Sequence, residues 1–189
     1  MSGRARIAWG ITGAGHFLED CVKLLLAHEQ ADIFLSRAGL EVLKLHGLYR
    51  TLRESGHTVF TDEDAAGFPA TRLYGGRYDL VVIAPASANT VAKMVTGIAN
   101  GLVTGLFATA GKCRIPAVVL PCDVAGEVVS STHKGKEIRV HVRPVDQQNT
   151  EALARFEGVR VVHSPQRLEE AIRGWPNLNT HRQGGADQT

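Results

Sequence analysis

The stretch Tyr78-Asp-Leu-Val-Val-Ile-Ala-Pro-Ala-Ser-Ala-Asn-Thr90 decides the fold. Residues 80–84 form a short, wholly apolar run, the pattern of a strand covered on both faces in a parallel sheet. Pro85 is expected to stop it. Ser87, Asn89 and Thr90 then fall in a turn of small residues, and Val91, Met94, Val95 and Ile98 repeat at helical spacing. A strand, a small polar turn and a helix make a site for an anion or cofactor. The helix start leaves backbone N–H groups unpaired, while hydroxyls and a carboxamide add directed hydrogen bonds.

The same alternation continues outward. Strands are expected at Ile7–Ile11, Ala31–Leu35, 117–120, 138–142 and 159–162. Helices are expected over 16–27, from Ser36 onward with Val42, Leu43 and Leu45 inward, and for a turn or two within 47–56. The segment 61–77 is rich in Gly, Asp and Pro and carries no clear period. Gly97, Gly101 and Gly105 recur every four residues. On one helical face they would let another backbone approach, from within the chain or from a second subunit. Ser164 reads as a helix N-cap with Pro165 at the first helical position. From residue 176 the tail is polar and expected to be disordered. No internal repeat is visible. The fold class is therefore α/β, a Rossmann-like, doubly wound, mostly parallel sheet in a single domain over 1–175.

Composition narrows the function. The chain has 189 residues, 44% of them hydrophobic, enough for a real core. A net charge of +2, with basic residues scattered, argues against nucleic acid and against a membrane surface. No apolar run approaches the ~20 residues of a membrane-spanning helix. Cys21, Cys113 and Cys122 are odd in number and without CxxC spacing, so reduced thiols in a cytoplasmic protein are expected and no metal is. The opening Met-Ser-Gly-Arg-Ala-Arg runs into a strand rather than a signal-peptide core.

Ligands of doubly wound sheets sit at the carboxyl ends of the strands. Three loops are candidates there: Thr12-Gly13-Ala14-Gly15-His16, Ser36-Arg37, and Ala86-Ser87-Ala88-Asn89-Thr90. The first resembles a dinucleotide fingerprint, but the third glycine position is occupied by Leu18. The second strand ends in Ser36 and Arg37 instead of an acid for a ribose diol. Hydroxyl and guanidinium suit a phosphate, which favours a mononucleotide over NAD and leaves NADP open through Arg37. Plainer readings stand beside these: Ser36 as a helix N-cap, Gly13 and Gly15 as turn formers, and His16 as a helix-start residue.

Ala84-Pro-Ala-Ser-Ala-Asn-Thr90 resembles the PASANT motif of the homo-oligomeric flavin-containing cysteine decarboxylase superfamily, and Ile11-Thr-Gly-Ala-Gly15 resembles its first phosphate loop. The resemblance covers about residues 5 to 125. It implies FMN in a Rossmann-like subunit, with the flavin ring at an interface of a trimer or an assembly of trimers. By position, Gly13, Ala14, Gly15 and Ser36 would meet the phosphate and ribityl chain, and Ser87, Ala88, Asn89 and Thr90 the flavin. Thr109, placed after the glycine-spaced helix, would add to them.

The decarboxylase pattern itself is incomplete. Where those enzymes carry a catalytic His, residues 68–74 have none, and their Pro-x-Met-Asn substrate motif is replaced by Pro121-Cys-Asp-Val124. The basic residue after Pro-Ala-Ser in the prenyltransferase branch is absent too. Ala8-Trp-Gly-Ile-Thr-Gly-Ala-Gly15, Pro121-Cys-Asp123 and Arg143-Pro-Val-Asp146 are similar to the archaeal-type branch of dihydromethanopterin reductases and archaeoflavoproteins. That resemblance implies reduction of a dihydropterin, such as dihydromethanopterin, to its tetrahydro form at a C=N bond. Without clustered cysteines the chain holds no iron–sulfur centre, so electrons would come from a reduced nicotinamide or a redox protein. Asp123 is the candidate for binding the pterin edge or for catalysis, with Cys122 beside it or serving only as a small core-edge residue. His133, Arg143 and Asp146 are expected on solvated surface. The alternatives are an FMN electron carrier without its own small-molecule substrate, a flavin-storage assembly, and an NADP-binding protein without flavin.

Overall fold

The computed structural model describes residues 5–63, 69–124, 127–131 and 136–175. Six parallel strands form the main sheet: β1 Ile7–Ile11, β2 Ala31–Leu35, β3 Val59–Thr61, β4 Leu80–Ala86, β5 Ala117–Pro121 and β8 Val159–Val161, in the order β3-β2-β1-β4-β5-β8. The helices are α1 Leu18–Leu26, α2 Arg37–Leu45, α3 Tyr49–Glu54, α4 Ala88–Val95, α5 Leu102–Lys112, α6 Pro144–Leu153 and α7 Pro165–Arg173. The expected tail, 176–189, lies outside the described residues.

The central strands are apolar because both their faces are covered. Every residue of β1, β4 and β5 is buried. Alternate side chains go to opposite faces. Ile7, Trp9 and Ile11 meet Leu18, Leu25, Leu43, Leu52, Leu168 and Ile172 on one side. Ala8, Val81, Ile83 and Val119 meet Val91, Leu102, Leu106 and Leu153 on the other. The result is three layers with two cores. The outer strands β3 and β8 are half-exposed, as edges are.

Four expectations need correction. Pro85 does not end β4, which continues to Ala86 through a register shift after Ile83. Proline's missing N–H costs no ladder bond at that irregularity, where residues 84 and 85 have no register partner, and the two carbonyls there are bonded by side chains instead. Ala84 O accepts from the Trp9 indole at 2.8 Å, and Pro85 O from the Thr12 hydroxyl at 2.8 Å. Second, the strand expected near 138–142 is β7 Glu137–His141, which pairs antiparallel with β6 Glu127–Ser131 outside the main sheet. Third, the glycine stripe is not one helical face. Gly97, at φ +75°, follows the end of α4, where its N–H reaches Met94 O and that of Ile98 reaches Lys93 O. This 6→1 and 5→2 pattern ends a helix and leaves only Gly105 inside α5. Fourth, α1 starts at Leu18, two residues later than its sequence period suggested.

Candidate functional site

The strand order reverses between β1 and β4, since β1 leads outward to β2 on one side and β4 to β5 on the other. A crevice opens at such a point, beyond the carboxyl ends of the strands. All three candidate loops lie at this edge.

Thr12 joins two of them. Its side chain is fully buried; the hydroxyl donates to Pro85 O and accepts from Ser87 N, both at 2.8 Å. Thr12 thus fixes the spacing between the loops and has no exposed surface to offer a ligand. Gly13 is required by close approach, since a Cβ there would lie 2.5 Å from Ala38 Cβ. At Gly15 a Cβ would make only ordinary contact, 3.6 Å from the His46 ring, so packing does not demand glycine there. The N–H of Ala14 is bonded to Thr12 O, whereas those of Gly13, Gly15 and His16 find no acceptor among the described residues.

Ser36 is the N-cap of α2, its hydroxyl oxygen accepting from Gly39 N at 3.0 Å. That leaves the hydroxyl proton for another partner. Arg37 is exposed, and its side chain has no bonded partner among the described residues. Ser87 caps α4 in the same way, accepting from Thr90 N, and its hydroxyl meets that of buried Thr90 at 3.0 Å. Ala88 and Asn89 occupy the first two positions of α4; Ala86 is buried beneath them. Asn89 is exposed, and its carboxamide is unpaired among the described residues. The structure does not bring Thr109 into this cluster: it lies inside α5, about 10 Å along the helix from Leu102.

Asp62 was not singled out in the sequence. Its two carboxylate oxygens accept from Arg37 N and Leu102 N, each at 2.6 Å, so one side chain caps α2 and α5 together. Both acceptor sites serve backbone, and a carboxylate at two helix starts is favourable against the helix dipoles. Asp62→Ala is expected to cost about 1–2 kcal/mol in urea unfolding, with Asp62→Asn costing less.

Cys122 is 3% exposed, and its thiol donates to His16 O at 3.3 Å. Burial pushes that thiol well above its ordinary range, so it stays protonated. The side chain therefore anchors the first loop to the end of β5. Asp123 is half-buried next to it. Arg143 and Asp146 are not simply solvated: Asp146 is 6% exposed and accepts two bonds of 2.7 Å from the Arg143 guanidinium. That pairing holds the Asp146 carboxyl below its usual range. His133 lies outside the described residues.

His16 sits in the turn before α1. Its ring lies against that of Phe17, with centroids 3.7 Å apart and planes tilted by 46°, and burial lowers its pKa against the opposing pull of Asp123 and Asp20. The unfolded imidazole titrates near 6.5. The folded state binds the proton less well, so this contribution to stability is complete above about pH 6.5 and is lost as the pH falls towards the folded pKa. The urea midpoint of wild type minus that of His16→Gln is expected to shrink between pH 7.5 and pH 5. An equal difference at both pH values overturns this assignment.

The fold and this edge define a class: a single Rossmann-like domain whose switch point is built to hold a phosphate-bearing group. The Flavoprotein family profile matches residues 1–178, and the chain belongs to the Flavoprotein family. It is 35% identical over 174 residues to an uncharacterized protein of Methanocaldococcus jannaschii, covering 88% of this chain and 94% of that one. It is 38% identical over 138 residues to the dihydromethanopterin reductase (acceptor) of Methanosarcina mazei, covering 66% of this chain and 58% of that one. Among solved structures, Burkholderia xenovorans DmrB in complex with FMN, described as a cubic protein cage for redox transfer, superposes with a TM-score of 0.82. It is 39% identical, with 92% of this chain and 96% of that one covered. Among the described residues, no helix is long and apolar enough to cross a membrane.

Proposed function

We propose that this chain is an FMN-dependent oxidoreductase that reduces dihydromethanopterin, or a related dihydropterin, to the tetrahydro form in one-carbon metabolism. The observation that carries the cofactor is the donor set at the switch point. Unpaired N–H groups at Gly13, Gly15, His16, Ala88 and Asn89 converge on one sheet edge with the free hydroxyl proton of Ser36. Such groups fit a phosphate ester. The end of β2 offers no acid for a ribose diol, and the carboxylate of nearby Asp62 is already taken by two amides.

Bound FMN would supply two-electron chemistry, accepting electrons from a donor and passing a hydride onward. The chain's residues would do the rest. Gly13, Ala14, Gly15, Ser36 and Arg37 would hold the phosphate end. Ser87, Ala88, Asn89 and Thr90 would orient the ring end. Asp123 would bind the pterin edge. The relative named dihydromethanopterin reductase (acceptor) and the DmrB–FMN complex support this reading. A reduced nicotinamide or a redox protein would serve as external donor, and a homotrimer or an assembly of trimers as the working form.

The purified protein is expected to be yellow, with FMN released on denaturation. Reduced protein, mixed anaerobically with dihydromethanopterin, is expected to reoxidise in a single turnover. A colourless protein that gains no flavin on incubation with FMN sinks the cofactor. Reduced flavin that ignores the pterin but is oxidised rapidly by a redox protein sinks the substrate and makes the chain an electron carrier.

A further inference from the structure

Gly15 is glycine without a local reason. Its backbone is not in the left-handed region that favours glycine, and a Cβ there would clash with nothing. Gly13 differs, because Ala38 stands where its Cβ would be. The missing side chain of Gly15 therefore leaves room beside an exposed part of the first loop, just past the carboxyl end of β1. In a phosphate loop such room lets a ligand touch the backbone. Apart from the two chain neighbours, one group among the described residues lies within 4 Å of the empty place. It is Nε2 of His46, 3.6 Å from where the Cβ would be.

His46 is the C-cap of α2, with its backbone N–H on Val42 O. A histidine at a helix end has a plain role when its ring bonds the last carbonyls. This ring makes no such bond. It is half-buried, and neither nitrogen has a partner among the described residues. An imidazole in that setting holds an unused donor. Side chains of a helix tilt towards its N-terminus, and the ring accordingly reaches back along α2 to the loop.

The gap is the size of one ligand atom. Adding a carbon–carbon bond of about 1.5 Å puts Nε2 at most about 5 Å from the Gly15 Cα. An oxygen resting on that Cα at about 3.3 Å and accepting from the ring at about 2.8 Å spans it. The N–H groups of Gly15 and His16, without acceptors among the described residues, belong to the same turn.

We infer that His46 is a phosphate ligand of the cofactor site, its Nε2–H donating to an FMN phosphate oxygen that packs over Gly15. The inference rests on the placement of the phosphate at the first loop, proposed above. The ring donates as the Nε2–H tautomer or as the imidazolium, so the bond needs no particular charge state. A hydrogen bond to an anion is of the stronger kind. Helix α2 then serves the cradle from both ends, through Ser36 at its start and His46 at its finish.

The test compares FMN with riboflavin, which shares the ring and the ribityl chain and lacks the phosphate. Both are titrated by fluorescence into flavin-free protein. His46→Leu removes the donor and keeps an apolar side chain. It is expected to raise the Kd for FMN about tenfold or more and to leave that for riboflavin within about twofold. His46→Gln, which keeps an N–H donor, is expected to recover part of the loss. Gly15→Ala is expected to weaken FMN by a similar factor and to spare riboflavin. Its flavin-free form is expected to have a urea midpoint at or above that of wild type.

Equal loss of FMN and riboflavin in His46→Leu overturns the inference and makes the ring a packing group of the helix end. Wild-type FMN affinity in His46→Leu overturns it too. If Gly15→Ala is then still weakened towards FMN alone, the phosphate sits at the loop without His46. If neither variant changes the preference for FMN over riboflavin, the placement of the phosphate at the first loop fails, and the inference with it.

Discussion

Gly39→Ala is expected to lower the stability of the protein by about 3 kcal/mol and to weaken FMN binding, although alanine is the better helix former. Gly39 is buried in the first turn of α2, where a Cβ would lie 2.4 Å from Ile11 O. Helix propensity alone favours alanine by about 1 kcal/mol. The clash opposes it and is the larger effect, because its partner is backbone at the end of β1 and has no rotamer to change. Forcing one methyl into packed surroundings costs about 1–3 kcal/mol, and backbone on both sides puts this case at the upper end. To relieve it α2 must lift, which stretches the Ser36 N to Ile11 O bond of 3.1 Å and displaces the Ser36 hydroxyl from the edge. Gly105→Ala is the control. It sits inside α5 with open space around its missing Cβ. There the propensity gain stands unopposed, and the change is expected to stabilise by about 0.5–1 kcal/mol. Paired urea titrations measure both. Equal effects of the two substitutions would falsify the close-approach account.

The second large effect is expected for Thr12→Val, a change that keeps the shape and removes one oxygen. The hydroxyl serves two groups at once, donating to Pro85 O and accepting from Ser87 N. Pro85 O keeps a weaker bond from Thr12 N at 3.3 Å, but Ser87 N loses its acceptor. A buried donor left unsatisfied costs about 1–3 kcal/mol, so a total near 2–3 kcal/mol is expected. For a chain of this length that corresponds to a Tm lower by very roughly 4–12 °C. FMN affinity is expected to fall as well, because Thr12 sets the distance between the glycine loop and the start of α4. Thr12→Ser, which keeps the oxygen, is expected to recover most of both losses. Thr12→Val protein with unchanged Tm and FMN affinity would show the bridge to be dispensable.

What the sequence made legible follows from where each signal is stored. The strands 7–11 and 117–120 were readable because strands covered on both faces must be apolar throughout. The strand 31–35 was readable although Asp32 interrupts its apolar run; β5 runs one residue further, to Pro121. The small-residue turns were readable because helix starts need caps: Ser36 and Ser164 cap as expected, and Ser87, read only as part of a turn, proves to cap α4 as well. Pro85 misled because its local rule assumes a regular ladder. The carbonyls that make the irregularity tolerable are bonded by Trp9 and Thr12, more than 70 positions away in the chain. Gly97 and Gly101 misled because even spacing conceals a reversal in backbone sign. Asp62 left no local trace, since the amides that it caps are 25 and 40 residues distant. Cys122 allowed two readings from its place after β5, a substrate contact or a small core-edge residue; its burial fits the second and lets it anchor the first loop.

Asp62 also sets a rule for how the edge breathes. Arg37 and Leu102 begin helices that flank the crevice, yet their amides hang on one carboxylate. Neither helix start can swing outward without either breaking its bond or dragging the shared acceptor from the other. In hydrogen–deuterium exchange the two amides should behave as one clock, with matched protection. Asp62→Ala should set them running at separate rates.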